Sequence, residues 1–355
     1  MPSPSAHGLL PDDLRGVFAD AGVPCSAGEA RRLLAWMVSH GRDDLDAMPR
    51  PVRRPLREAA RNLLDTTLPT VVERAVDPVD GSCRFVFALS DGALVEAVRI
   101  PLHKEGAFSV CLSSQVGCAM ACDFCATGRL GLQRNLTAAE IVGTWLAVRE
   151  TAREEGGRVT GAVFMGQGEP FHNYDAVLQA ARILSDDCGG RIGAKAITIS
   201  TVGLIPQIRR FTAEGHKFRL VVSLTSALPE RRAELLPVAG RLDMDELFDA
   251  IWDYHRATGR RITLAWVLMG GVNSGSDEVE ALRERLGDLP VRLNLIDVND
   301  NRPGGYRRAT AAELSDLRDG LRTLGVPVVR RYSVGQGQDS ACGMLAARLQ
   351  QGGPA

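Results

Sequence analysis

From Phe108 onward the chain alternates between short β-rich runs and helical stretches, and that alternation restricts the fold more than any other feature. The runs "FSVCLSS", "GAVFMG", "AITISTV", "FRLVVSL", "RITLAWVLMG", "VRLNLID" and "VPVVRRYS" are rich in Val, Ile, Leu and Phe. Between most of them lie segments such as "AEIVGTWLAVRETAREE", "YDAVLQAARIL", "MDELFDAIWDYHRATG" and "SDEVEALRERLGDL", with apolar residues at helical spacing. Repeated strand–helix units predict an α/β fold, a parallel sheet curled into a partial (β/α)6 TIM-like barrel. Catalytic groups then belong on the loops at the C-terminal ends of the strands. Upstream, "SCRFVFALSDGALVEAVRIP" places two β-rich runs around Asp91-Gly92 and predicts a β-hairpin. Residues from Leu9 to Leu68 read as helical, notably "EARRLLAWMV" and "PVRRPLREAARNLL". The expected division is a small helical accessory domain over 1–75, a barrel domain with its hairpin over 76–345, and a loose tail over 346–355.

At 355 residues, with 45% hydrophobic and 24% charged side chains, the chain can bury one large core and a small accessory domain. No apolar run approaches the roughly 20 residues of a membrane-spanning helix, and "MPSPSAHG" lacks the regions of a signal peptide. A cytoplasmic protein with no membrane partner, acting as a monomer, is expected. The net charge of -1 gives no global basic field, so a nucleic-acid partner would have to be held by local patches. One such patch is Arg50, Arg53, Arg54, Arg57 and Arg61. It reads either as a solvated helix face or as a surface that touches phosphates.

Eight cysteines are too few and too unevenly placed for a disulfide scaffold in a chain of this length. Three of them, Cys118, Cys122 and Cys125, form a C-x-x-x-C-x-x-C cluster directly after the strand "SVCLSS". Three thiolates do not complete a closed zinc site or a fully cysteine-ligated iron–sulfur cluster without a fourth donor. The spacing suits a cubane with one iron left open to a substrate or cofactor, shielded by Phe124; a zinc knuckle or a chance group of buried thiols is the alternative.

This motif, together with "CLSSQVGCAMACDFCATG", "RNLTAAEIVG", "FMGQGEP", "ISTVGLIP", "LMGGVN" and "SACGML", resembles the RlmN/Cfr family of radical S-adenosylmethionine enzymes, which methylate adenine carbons of RNA. The match extends to the N-terminal "EARRLLAWMVSHGRDDLDAMP", similar to that family's RNA-contacting helical domain. The resemblance implies a [4Fe-4S] cluster on Cys118, Cys122 and Cys125, and S-adenosylmethionine as both methyl source and radical source. It implies ribosomal RNA, and possibly transfer RNA, as substrate, methylated at C2 or C8 of adenine, with an external electron donor such as flavodoxin or ferredoxin. By the same resemblance Cys342 carries the methyl, Cys111 resolves the protein–substrate crosslink, and Glu96 is the general base. Gly168 and Glu169 of "GQGEP", with Ser200, Ser223 and Asn299, are the cofactor contacts. Glu169 supplies a carboxylate for an ammonium, and the glycines of its loop let the backbone approach a ligand closely.

Cys25, Cys83 and Cys188 match no motif and read as ordinary buried thiols. The chain departs from the family pattern at Gln167, where Met is usual, and at Thr225, where His is usual. It departs again in "VNDNRPGG" and in "SVGQGQDS", the stretch ahead of Cys342. Two other readings fit these departures: the same radical methylation of a small molecule or peptide, or a non-catalytic iron–sulfur or RNA-binding relative.

Overall fold

The computed structural model describes residues 3–48, 52–300, 302–331, 335 and 341–345. Arg50, Asn301, the tail from 346 and all of "SVGQGQDS" except Gly335 therefore lie outside the described residues.

One ten-stranded sheet organises the molecule. Its parallel part is β4 (Ala107–Leu112), β7 (Arg158–Phe164), β8 (Ile197–Thr201), β9 (Arg219–Ser223), β10 (Ile262–Leu268), β11 (Val291–Asp297) and β12 (Val328–Arg331). These strands pair in that order. Helices Ala138–Glu154, Tyr174–Ser185, Ile205–Ala213, Met244–Thr258, Ser276–Leu286 and Ala311–Arg322 return the chain between them. The expected partial (β/α)6 barrel is therefore present, with β12 as an added parallel strand.

An antiparallel extension precedes it: β1 (Thr70–Val76), β2 (Cys83–Ala88) and β3 (Leu94–Pro101), with β3 paired to β4. The β2–β3 turn has Gly92 at φ 82°, so the Asp91-Gly92 hairpin forms as read. Strand β1 straddles the expected division at 75/76: it pairs with β2 in the sheet, and its exposed surface carries no alternating pattern that would mark it in the sequence. A two-stranded antiparallel ribbon, β5 (Gln115–Gly117) and β6 (Leu132–Asn135), stands apart from this sheet.

The helix Ala138–Glu154 joins the two parts of the molecule. Thr137 and Glu140 cap its start reciprocally, and Ile141, Trp145 and Val148 are buried. Gly143 leaves room for Pro69, whose ring would lie 2.6 Å from an added Cβ. The N-terminal module consists mainly of helices Pro11–Asp20, Ala27–Leu34 and Arg54–Leu63, packed around Leu14, Phe18, Leu33 and Leu56. The described arginines of the basic patch each meet a carboxylate of the same module. Arg53 grips Glu29 at 2.6 Å, Arg54 meets Glu58 at 2.7 Å, and Arg57 and Arg61 share Asp46. Among the described residues no helix is long and apolar enough to cross a membrane.

Candidate active site

The cysteine loop is a closed excursion at the C-terminal end of β4. The β5–β6 ribbon forms its neck, where Cys118 N–H donates to the Gly131 carbonyl at 2.9 Å. Gly117, at φ 76°, makes that neck possible, because a Cβ there would run into the Gly131 carbonyl. Inside the loop Cys125 N–H donates to the Cys122 carbonyl at 3.0 Å, and Gly128 lies so near Cys122 that a Cβ would sit 2.9 Å from its backbone. Burial pushes the Cys118 thiol up to about 12, and raises Cys122 and Cys125 as well; for Cys122 the neighbouring sulfurs add to the effect.

Such thiols stay protonated unless a cation replaces the proton, which is what ligation to iron does. The three cysteines line a larger cavity together with Phe124.

Across the cavity stands Glu169, 3% exposed. Its two oxygens accept from Phe171 N–H and Val202 N–H, both at 2.9 Å. Burial outweighs these hydrogen bonds and raises its pKa to about 7. A buried carboxylate of this kind gains most from a cationic partner, so the residue fits an amino group of a bound cofactor. Ser200, Ser223, Asn299 and Gly168 line the same cavity, at or beyond the C-terminal ends of β8, β9, β11 and β7.

The glycines of "GQGEP" are closely hemmed. A Cβ at Gly166 would lie 2.8 Å from the Leu112 backbone, and one at Gly168 would lie 2.6 Å from the Gln115 side chain. They let the loop press against the end of β4 and its continuation, while both glycines also line the cavity.

Cys342 lines this cavity too, and backbone contacts hold its segment against the cysteine loop. Ala126 N–H donates to the Gly343 carbonyl at 2.7 Å, the Thr127 hydroxyl to the Leu345 carbonyl at 3.1 Å, and the Asn299 amide to the Cys342 carbonyl at 3.2 Å. Cys111, on β4, lies outside the lining, but Met165 packs against both its group and the group that Cys342 joins. Burial, reinforced by the nearby Cys342, pushes the Cys111 thiol up to about 12. Both cysteines are free thiols.

Glu96 is not brought into the cavity. It is 1% exposed, bound to Arg84 at 2.8 Å and approached by the Gln167 amide at 3.4 Å. Cys83 and Cys188 are buried free thiols and Cys25 is half-buried, none of them in this cavity.

Three further residues shape the site, and of these only Arg232 lies outside every motif and departure read from the sequence. Arg232, fully buried, donates to the carbonyls of Ser223, Leu224 and Val202, pinning two strand ends. Burial lowers its pKa to about 10, and it stands near enough to Cys122 to offset negative charge on that sulfur. Asn273, from "LMGGVN", donates to the carbonyls of Thr225 and Val267. Thr225 holds φ 63°, a left-handed conformation costly for a β-branched residue, and its buried hydroxyl has no partner among the described residues.

Comparison with known proteins agrees with this geometry. Residues 112–286 match the model of the Radical SAM superfamily. The chain is 48% identical to a probable RNA methyltransferase of Anaeromyxobacter sp., over 96% of this chain and 99% of that protein. It is 37% identical to a probable dual-specificity RNA methyltransferase RlmN of Staphylococcus saprophyticus, over 90% of this chain and 86% of the relative. The crystal structure of a radical SAM methyltransferase from Sphaerobacter thermophilus superposes with a TM-score of 0.88, at 36% identity, over 97% of this chain and 99% of that one.

Proposed function

Because the chain belongs to the RlmN/Cfr family of radical S-adenosylmethionine RNA methyltransferases, we propose that it methylates an adenine ring carbon, C2 or C8, of ribosomal or transfer RNA through a methyl-cysteine at Cys342. The observation that carries this reading is the placement of Cys342 in the same cavity as Cys118, Cys122 and Cys125, with Cys111 close behind. A [4Fe-4S] cluster on the three cysteines, with S-adenosylmethionine and an electron from a flavodoxin- or ferredoxin-like donor, supplies a primary carbon radical able to remove a hydrogen atom from a methyl group.

The remaining work falls to the chain. Glu169 receives the cofactor's ammonium, and Asn299 holds the Cys342 backbone in position. Cys342 takes a methyl from one S-adenosylmethionine and, after losing a hydrogen atom, presents the carbon to the ring. The ring adduct gives up its ring proton and its one unpaired electron, which the oxidised cluster would take back. Cys111 then attacks the bridging sulfur; its thiol proton passes to the released carbon, which frees the methylated base and leaves a Cys111–Cys342 disulfide for external reduction. Glu96 shares the strand face of Cys111, since Val98 is the register partner of Cys111 and lies two residues on. It takes the ring proton, and Arg84 must yield its grip as that happens.

Mass spectrometry of reconstituted protein incubated with S-adenosylmethionine tests the reading. A methyl group on Cys342 is expected, and its absence would overturn the mechanism. With RNA present, Cys111→Ala should accumulate a covalent protein–RNA adduct. Normal turnover without an adduct would remove Cys111 from its role.

A further inference from the structure

The end of the barrel opposite the cysteine loop is lined by cations. A cavity of about 570 Å³ opens there, and Lys195, Lys217, Arg219, Arg260, Arg261 and Arg292 stand around it with no acidic residue in its wall among the described residues. Each comes from the N-terminal side of a parallel strand. Lys195 precedes β8, Lys217 and Arg219 lead into β9, Arg260 and Arg261 precede β10, and Arg292 is the second residue of β11. All but Arg260 are exposed, and among the described residues none of the six makes an ion pair.

Conservation of stability does not account for such a floor. Like charges gathered around one cavity repel, and a surface built only for stability intersperses both signs. The protein does so elsewhere, as the paired arginines of the N-terminal module show. The cavity is also not a separate compartment. Met165, Val221, Asn294 and Arg331 line both it and the catalytic cavity, so the two meet inside the barrel behind Cys342.

Resting on the RNA reading above, we infer that this floor is the substrate's entrance: the phosphates of an RNA loop lie across Lys217, Arg219, Arg261 and Arg292 while one unstacked base passes between Met165, Val221 and Asn294 toward the paired cysteines. A ring carbon can reach the methyl-bearing sulfur only if the base leaves its stack, and loops release bases at least cost. The cations then hold the two flanking backbone stretches without reading sequence, which is how phosphate contacts act. A small-molecule acceptor has no use for so wide a cationic rim.

The test is fluorescence anisotropy of a hairpin oligoribonucleotide across a salt series, with the full-length reconstituted protein. The wild type should bind more weakly as salt rises. Each phosphate contact on a single strand adds about -0.7 to the log–log slope. The combined variant Lys217→Gln, Arg219→Gln, Arg261→Gln and Arg292→Gln should therefore lose about 2–3 units of slope. Arg219→Lys, Arg261→Lys and Arg292→Lys together should keep the slope, because the charge remains; this arm separates lost charge from lost fold. Wild-type affinity and slope in the Gln variant would overturn the entrance while leaving the RNA reading intact. Failure of the wild type itself to bind RNA would overturn both. Adenosine monophosphate binding with the same residue dependence, and no gain from the longer oligonucleotide, would make the floor a small-anion site and overturn the inference as well.

Discussion

Two arginine-rich surfaces of this protein look alike as text and behave as opposites once folded. The N-terminal module carries Arg53, Arg54, Arg57 and Arg61 in one compact stretch, each facing a carboxylate of the same module. The barrel floor carries six cations, drawn from four separate strand entrances, and pairs none of them among the described residues. Local density of charge thus says little about availability. What matters is whether folding brings a counter-charge, and a ligand phosphate has to supply one where it does not.

The largest effect expected from this contrast is on RNA turnover. At 0.15 M salt a slope of about -0.7 per contact corresponds to roughly fourfold in affinity for each phosphate contact. Neutralising Lys217, Arg219, Arg261 and Arg292 together should then lower kcat/KM for RNA by roughly 200-fold. Arg53→Gln, Arg54→Gln and Arg57→Gln together should change it less than about threefold, measured at a temperature where the variant is folded. Equal losses in the two variants would erase the distinction between the surfaces.

The next effect runs the other way, on stability. Glu29 is buried, closes the capping box with Ser26 and accepts two hydrogen bonds from Arg53. Arg53 and Ser26 hold its carboxyl at about 2, below the ordinary 4.5. A depressed carboxylate contributes stability above its unfolded value and loses that contribution as pH falls through the folded one. Glu29→Gln should cost about 1–2 kcal/mol in urea unfolding at pH 7. It should also flatten the acid limb of the stability profile between pH 4.5 and 2. An unchanged midpoint would mean that the module's arginines are not structural and could be free to meet phosphate.

The same contrast shows why part of the molecule was legible from sequence. The barrel strands were readable because buried strands announce themselves in consecutive residues, and the cysteine loop because its three cysteines fall within eight positions. Ser200, Ser223 and Asn299 could be placed only through a resemblance, although the cavity does gather them. The floor was invisible. Lys195 and Arg292 are distant in the chain and converge only because parallel strands begin at a common end. The engagement of Glu96 was equally hidden, since Arg84 reaches it from a neighbouring strand of the hairpin. Pairing across strands and convergence around a barrel are properties of topology, which a linear motif does not carry.

The smallest expected effect is the one that separates the surfaces by sign. Arg261 is exposed, makes no ion pair among the described residues, and faces Lys217, Arg219, Arg260 and Arg292 across the same cavity. Removing its charge relieves repulsion and breaks no bridge, so Arg261→Gln should leave stability unchanged or raise it by at most about 0.5 kcal/mol at low salt. Salt screens the same repulsion within a Debye length of about 8–10 Å, so the gain should shrink between 0.01 and 0.15 M salt. Glu29→Gln removes a bridge and should show a loss in the same unfolding series. RNA affinity should fall in Arg261→Gln under the very conditions in which stability does not. A loss of more than about 0.5 kcal/mol in that variant would place a carboxylate partner on Arg261 and end the contrast between the two surfaces.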